Sequence, residues 1–571
     1  MTTSFSTDAD ELARSLPERM LRWELYGAGL ENLGRDDGPL RRDVPRPGPG
    51  ELLVRVDACG ICFSDVKIIN LGGNHPRLQG RDLNADPVVM GHEVSVTVVA
   101  AGPGAPAAFP IGQRAIVQAD IYSGGLNLAF GYRIAGGYSQ YALIGREVLQ
   151  GDEGCYLLRV PPHLGYAEAA LCEPWACVEA SYHCEPRRAP LAGGDMLLYI
   201  SPIVGRYPNE WLEGLRFAPL DPVGRLTVLH HRQLRPVYQE RLARRADANS
   251  FISSRGWSPD QGSAWDDIVV VGAMDAAALE DLHRHLKPHG TLCLLGVSKL
   301  PASMLDVGRI HYQGLQVIAS PGVDVMAAYT GTRSAELVPG GRAWFIGAGG
   351  PLGQMHLYRA LSRPAPPREI VVTQNTGPRL EDLRLRFAPL ACQLGVELTL
   401  LDPRSMSPEA LDQRLGAGFD DIVCIVPNAA VVEDAQRHLG PGGGFNLFAG
   451  VPAGTTARLD LNTVVRGARF WGTSGSTIAD LESVLEKVER GELATDRVVA
   501  AVGGIRAVKE GLTAVRDARF LGKTMIYPQL ERLPLMSIEE CACQFPSLRD
   551  YLTGGRYWNR AAEAELFRVA R

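Results

Sequence analysis

The sequence predicts an α/β protein in which a β-rich module is followed by two tandem doubly wound parallel-sheet units. Three observations carry this. Short apolar runs punctuated by glycine and proline fill roughly the first 190 residues. From Gly193 the texture changes to apolar strand, helix-like segment and apolar strand, as a parallel sheet with crossover helices requires. Finally, this second texture occurs twice, with matching residues.

Taken in order, residues 51–57 form the first strand, after the turn-rich Pro45-Arg-Pro-Gly-Pro-Gly50, and further strands are expected at 94–101, 114–118 and 137–144. Helices are expected to be scarce up to about residue 190. The repeat then appears as E-D-x-x-R-H-L-x-P-x-G, at 280–290 and again at 433–443. Asp-Asp-Ile-Val precedes each copy, at 266–269 and 420–423, and a Leu-Asp pair follows each, at 305–306 and 459–460. The offset is steady and too long for a solenoid, so the chain holds a duplicated nucleotide-fold unit, two Rossmann-like domains in tandem. Near Ser476 a helix starts, with Ile478, Leu481, Leu485 and Val488 on one face. The expected organisation is a β-rich domain at 1–190, a degenerate Rossmann-like domain at 191–334 and a nucleotide-binding one at 335–475. A return segment at 476–530 completes the first domain, and the tail at 531–571 carries no readable chemistry.

Composition narrows the function. At 571 residues, 46% hydrophobic and 21% charged, the chain is long enough for several cores and is ordinary for a globular protein. A net charge of -6 without a basic run speaks against nucleic acid as a partner. The acidic start lacks the pattern of a signal peptide, and no apolar run reaches membrane-spanning length, so no membrane association is expected. Eleven scattered cysteines suit reduced thiols and a metal ligand better than a disulfide framework, which points to the cytoplasm.

The first chemical feature is Cys59-Gly-Ile-Cys62-Phe-Ser64-Asp65, whose C-x-x-C spacing alone fits a zinc knuckle or a redox pair. A knuckle needs a second pair, and Cys541 and Cys543 are spaced too tightly for one. Gly91-His92-Glu93 and Cys172-Glu173-Pro174 come next. Thiolate, imidazole and carboxylate from Cys62, His92 and Glu173 suit one Zn²⁺ with an open fourth position. Taken singly, each fits a bland role, a surface His-Glu pair or a helix-opening glutamate.

Through G-I-C-x-S-D, G-H-E and the later C-E-P, the chain resembles the zinc-dependent medium-chain dehydrogenases/reductases. The resemblance runs from about residue 20 to about residue 528 and is interrupted by one inserted Rossmann-like unit. It implies a GroES-like catalytic domain and, because Glu173 stands where classical alcohol dehydrogenases have cysteine, the polyol dehydrogenase branch. It further implies that Ser64 relays the substrate proton, that Asp65 supports the metal-bound histidine and that Glu93 lies beside the metal, while Cys59 becomes packing. Two departures stand out. Val96 replaces the last glycine of G-H-E-x-x-G, and residues 94–150 lack the four cysteines of a second zinc lobe.

The nucleotide loop is expected where the strand 343–346 meets a helix, at Gly347-Ala-Gly349-Gly350-Pro351-Leu352-Gly353. It is similar to the family's G-P-x-G, with Ala348 at the family's first glycine. The next strand, 369–373, ends in Gln374 and Asn375 instead of an acid, and Arg379 or Arg363 is placed to answer a 2′-phosphate, so the cofactor is NAD or NADP with a slight preference for NADP. The corresponding first-unit loop, 198–207, has one glycine and a proline. That unit is expected to be structural or dimer-forming, the alternative being a second ligand site.

Phe419-Asp-Asp-Ile-Val423, Phe448-Ala-Gly450 and Gly472-Thr-Ser-Gly475 resemble the ketohexose-phosphate branch, which includes L-sorbose-1-phosphate reductases. The implied activity is zinc-dependent hydride transfer between NAD(P) and a polyol, sugar or sugar phosphate, in a cleft between the β module and the second Rossmann unit. Lys67, His75, Arg77 and Arg81 are candidates for a substrate phosphate or hydroxyls, or form an ordinary charged loop. Rival readings are an isomerase or epimerase that retains its dinucleotide, and a scaffold whose extra unit covers the cleft. Relatives of this kind are usually dimers or tetramers, so a homo-oligomer is expected.

Overall fold

A computed structural model describes residues 16–201, 223–230, 251–253 and 264–570. The chain divides into two compact units, one formed by Met1–Ala180, Gly350–Met355 and Gly475–Arg571, the other by Ser181–Gly349 and His356–Ser474.

The first unit is built on an eight-stranded sheet. Its path runs Met536–Ser537, Val499–Gly504, Lys523–Tyr527, Leu52–Ile61, Glu93–Ala101, Arg114–Val117 and Leu157–Val160, and Tyr141–Ile144 pairs alongside Leu52–Ile61. The central strand, Leu52–Ile61, is buried along almost its whole length and reads as a near-continuous apolar run for that reason. Val96, the residue in place of the family glycine, is a fully buried strand residue opposite Val56, and the irregularity falls on the partner strand between Val56 and Ala58.

Helices are less scarce here than the glycine- and proline-rich texture predicts. Phe63–Leu71 follows the central strand directly, and Cys172–His183 opens at the C-E-P motif, its ends hidden from periodicity because one face carries Glu, Cys and Ser among apolar residues. Helix Ile478–Glu489 is capped by Thr477 with Asp480 and buries Leu481, Val484, Leu485 and Val488. The tail that sequence left unread joins this unit. Met536–Ser537 adds a strand to the sheet, and helix Arg560–Val569 packs against the short helix Tyr166–Ala170.

The second unit holds two six-stranded parallel sheets of identical order. In one, Phe251–Ser253, Arg225–His230, Asp195–Ile200, Trp265–Val271, Leu286–Leu295 and Gln316–Ser320 are neighbours in that sequence. In the other they are Glu397–Leu401, Glu369–Thr373, Arg342–Ile346, Phe419–Cys424, Leu439–Leu447 and Arg469–Trp471. Each is the 3-2-1-4-5-6 order of a doubly wound nucleotide fold. The repeat extends to side chains. Asp267 accepts from Arg187 and from the Leu191 N–H, and Asp421 accepts from Arg333 and from the Val338 N–H. Most of the loop 198–207 lies outside the described residues.

Candidate metal centre and nucleotide loop

Three strand and helix ends deliver the polar side chains. Cys62 follows the central strand and precedes helix Phe63–Leu71, and its N–H donates to Asp65 Oδ2 at 3.0 Å. His92 leads into strand Glu93–Ala101, and Glu173 lies in the first turn of helix Cys172–His183. Antiparallel register sets Glu93 opposite Gly60, where a Cβ would collide with Glu93 Oε2, so only glycine leaves room for that carboxylate. Cys59, one residue earlier, is fully buried against Gly91 and Gly137 and serves packing, as expected.

Among the described residues, Cys62, His92 and Glu93 offer a sulfur, a nitrogen and an oxygen all within 4.8 Å of one another. Glu173 stands outside that triple, although it lies close enough to feel the charges of both His92 and Glu93. The carboxylate in tightest convergence is thus Glu93, which the motif reading placed beside the metal, and not the Glu173 it named as ligand.

A carboxylate faces the His92 ring. The ring Nδ1 lies 3.5 Å from Asp65 Oδ1, and neither atom has another partner. Ser64 Oγ is 3.3 Å from Nε2. This is the carboxylate–histidine arrangement that fixes the tautomer of a ligating imidazole. Asp65 is itself held by the Tyr138 hydroxyl at 2.7 Å. Burial works against an imidazolium at His92, but the Asp65 charge and its hydrogen bond, with Cys62, carry the group well above its ordinary value. Burial pushes Glu173 up to about 7, Glu93 and Asp120 adding to it against His92 and Lys523. Glu93 Oε2 is buried without a partner. Clustered anionic donors, an orphaned oxygen and a histidine fixed at one nitrogen fit a divalent cation.

The charged loop after Cys62 divides. Arg81 is consumed structurally by Asp86 and by the carbonyls of Asp86, Pro87 and Tyr132. Arg77 pairs with Asp120 at 2.6 Å. Burial, with Arg77 and Lys67 nearby, lowers His75 to about 4, so it is a neutral ring, tilted against Tyr132 at 5.4 Å, which in turn lies 6.0 Å from His92. Lys67 is exposed. Sequence reasoning missed Lys523, Asp120, Tyr132 and Tyr138. Of these only Lys523 left a local signal, a charge opening the otherwise apolar run 524–527.

At the candidate nucleotide loop, strand Arg342–Ile346 ends at Gly347, whose φ of 81° lies in the left-handed region and where a Cβ would strike Val426. Gly349 donates its N–H to Gln374 Oε1 at 2.9 Å, and a Cβ there would meet Arg379 Cβ at 2.8 Å. At Gly350 there is open space, and Pro351 begins the helix Pro351–Leu361, in which Leu352 is half-buried and Gly353 buried. Gln374, at the end of strand Glu369–Thr373, therefore braces the loop, with Arg379 across it, while Asn375 is exposed. Arg363 is not available to a phosphate. It pairs with Glu336, beside Arg359, because Glu336 lies half-buried and draws both guanidinium groups.

Comparison with known proteins follows the same lines. Residues 48–150 match the alcohol dehydrogenase GroES-like domain. Over 93% of this chain and 95% of its own length, mannitol-1-phosphate 5-dehydrogenase of Aliivibrio fischeri is 23% identical. L-sorbose 1-phosphate reductase of Klebsiella pneumoniae is 30% identical over 40% of this chain and 55% of that protein. Among solved structures, 2R,3R-butanediol dehydrogenase from Bacillus subtilis superposes with a TM-score of 0.50 at 16% identity, over 89% of this chain and 99% of that one. No described helix is long and apolar enough to cross a membrane.

Proposed function

We propose that this chain, with an alcohol dehydrogenase GroES-like domain at residues 48–150, is a medium-chain dehydrogenase/reductase that transfers hydride between NAD(P) and a polyol, sugar or sugar phosphate, with one Zn²⁺ per chain. The observation that carries the proposal is the convergence of Cys62, His92 and Glu93 within 4.8 Å, with Asp65 behind the imidazole. Cys62, His92 and Glu173 would hold the metal, with Glu93 in reach as a further carboxylate. Bound zinc supplies Lewis acidity toward a substrate oxygen.

The chain's own residues do the rest. Ser64 Oγ, 3.3 Å from His92 Nε2, is placed to accept the proton of a substrate hydroxyl and hand it on. Asp65 faces His92 Nδ1 from 3.5 Å, which would leave Nε2 to the metal once the ring gives up its second proton. Gly347, Gly349, Gly350, Pro351, Leu352 and Gly353 give the pyrophosphate a close approach to a helix N-terminus. Gln374 and Arg379 would face the adenosine ribose, and a neutral side chain beside a cation would favour NADP over NAD. The phosphorylated substrates in the names of two relatives support the sugar-phosphate class.

The test is a metal assay on purified protein, with NAD(H) and NADP(H) turnover on free and phosphorylated polyols and ketoses. One zinc per chain and turnover lost in Cys62→Ala and Glu173→Ala are expected. Turnover that persists in both variants with zinc absent refutes the mechanism.

A further inference from the structure

The two nucleotide-type sheets meet through a short antiparallel ribbon, Ala302–Asp306 against Thr456–Asp460. These are not arbitrary segments. Leu305-Asp306 and Leu459-Asp460 are the matching Leu-Asp pairs of the internal repeat, so Ser303 is the counterpart of Ala457 and Met304 of Arg458. The register is Ser303 with Leu459, Met304 with Arg458 and Leu305 with Ala457. Exchanging every residue for its counterpart turns the first of these pairs into the third and leaves the central one in place. The ribbon thus has a local two-fold axis through Met304 and Arg458, the self-complementary geometry of an isologous contact.

Neighbouring contacts obey the same axis. Met304 N–H donates to Glu280 Oε1 at 2.8 Å, and Arg458 N–H donates to Glu433 Oε1 at 2.7 Å, the two glutamates being the first residues of the two repeat motifs. The last strands of the sheets, Gln316–Ser320 and Arg469–Trp471, also approach each other. Leu305 and Leu459 are buried in one apolar core that draws on both sheets.

We propose that the first nucleotide-type unit is a partner subunit built into the chain. Its isologous face saturates the equivalent face of the second unit, so that this surface recruits no second copy of the protein. The internal duplication supplies two faces of matching backbone geometry, and the covalent link holds them at an effective concentration of about millimolar or more, which favours pairing within a chain over pairing between chains. The ribbon edge at 456–460, an aggregation hazard if bare, is covered from inside. Any homo-oligomer must then use other surfaces.

The full chain tests this. Because both N–H groups of the central pair are taken by glutamates, Met304 and Arg458 form a non-hydrogen-bonded pair, with Cα atoms about 4.5 Å apart, near enough for a disulfide. In Met304→Cys/Arg458→Cys, oxidation should give a cross-link within one chain, seen as an unchanged chain mass with altered mobility on a non-reducing gel. A cross-link between chains overturns the proposal, as does a folded variant that forms none. On the unmodified protein, amide hydrogen exchange at residues 303, 305, 457 and 459 should keep its protection on about a hundredfold dilution. Loss of protection on dilution shows a face that needs a second copy, and also overturns the proposal.

Discussion

The Lys523 ammonium donates to the Glu93 carboxylate inside the sheet, with both side chains at most 4% exposed. Burial opposes the ammonium, but Glu93, Cys62 and Glu173 around it raise its pKa and keep it charged. Removing only the cation leaves a buried carboxylate among other anions. Lys523→Met should therefore cost about 3–5 kcal/mol in chelator-treated protein, measured by urea denaturation. In Lys523→Met/Glu93→Met most of that loss should return, since the stranded charge goes too. Equal losses in the single and double variants would show that the pair is unimportant.

That pair also shows where sequence reading stops. Cys62, His92 and Glu173 could be picked out because each sits in a short motif whose residue types are uncommon together. Lys523 lies 430 positions from Glu93, and no local spacing announces their meeting. The tightest carboxylate, Glu93, is set by the register of Gly60 against it, which is a tertiary property. The duplicated nucleotide fold was legible because Glu280 and Glu433 stand in copied motifs. Their identical task, each accepting a ribbon N–H, emerges only in three dimensions. Glu563 lies in the tail where the sequence carries no readable chemistry, and its role emerges only when the chain brings it under residues 166 and 167.

Asp65 should matter to metal affinity more than to folding. It holds His92 Nδ1 from 3.5 Å and is itself fixed by Tyr138 and the Cys62 N–H. Asp65→Asn keeps the shape and removes the charge, so zinc affinity should fall about 10–100-fold in a competition titration against a chromophoric chelator. Unchanged affinity would mean that the carboxylate does not act through the histidine.

Arg379 tests the proposed preference for NADP. Its stem crosses Gly349, whose N–H is braced by Gln374. If the guanidinium answers a 2′-phosphate, Arg379→Ala should raise KM for NADP about tenfold, roughly 1.4 kcal/mol, and leave KM for NAD nearly unchanged. Parallel changes for the two cofactors would remove Arg379 from the phosphate site.

Glu563 gives the stability of the first unit a pH dependence. Its carboxylate accepts from the N–H groups of Tyr166 and Ala167 and from the Tyr527 hydroxyl, with Arg114 near, yet burial outweighs them and pushes it up to about 7 from an ordinary 4.5. Asp496 and Glu168, beside it, are raised by burial as well. Below 4.5 the carboxyl is protonated in both folded and unfolded chains. Between 4.5 and about 7 the unfolded chain releases the proton while the folded one keeps it, so stability falls as pH rises through this window. The full effect is on the order of 3 kcal/mol for this group. Glu563→Gln cannot ionise but keeps an acceptor for the two N–H groups. Its thermal midpoint should therefore drop less than that of the parent between pH 5 and pH 7.5, ending above the parent at the higher pH. A variant that loses as much as the parent over that interval would show that the carboxyl is already ionised in the folded protein.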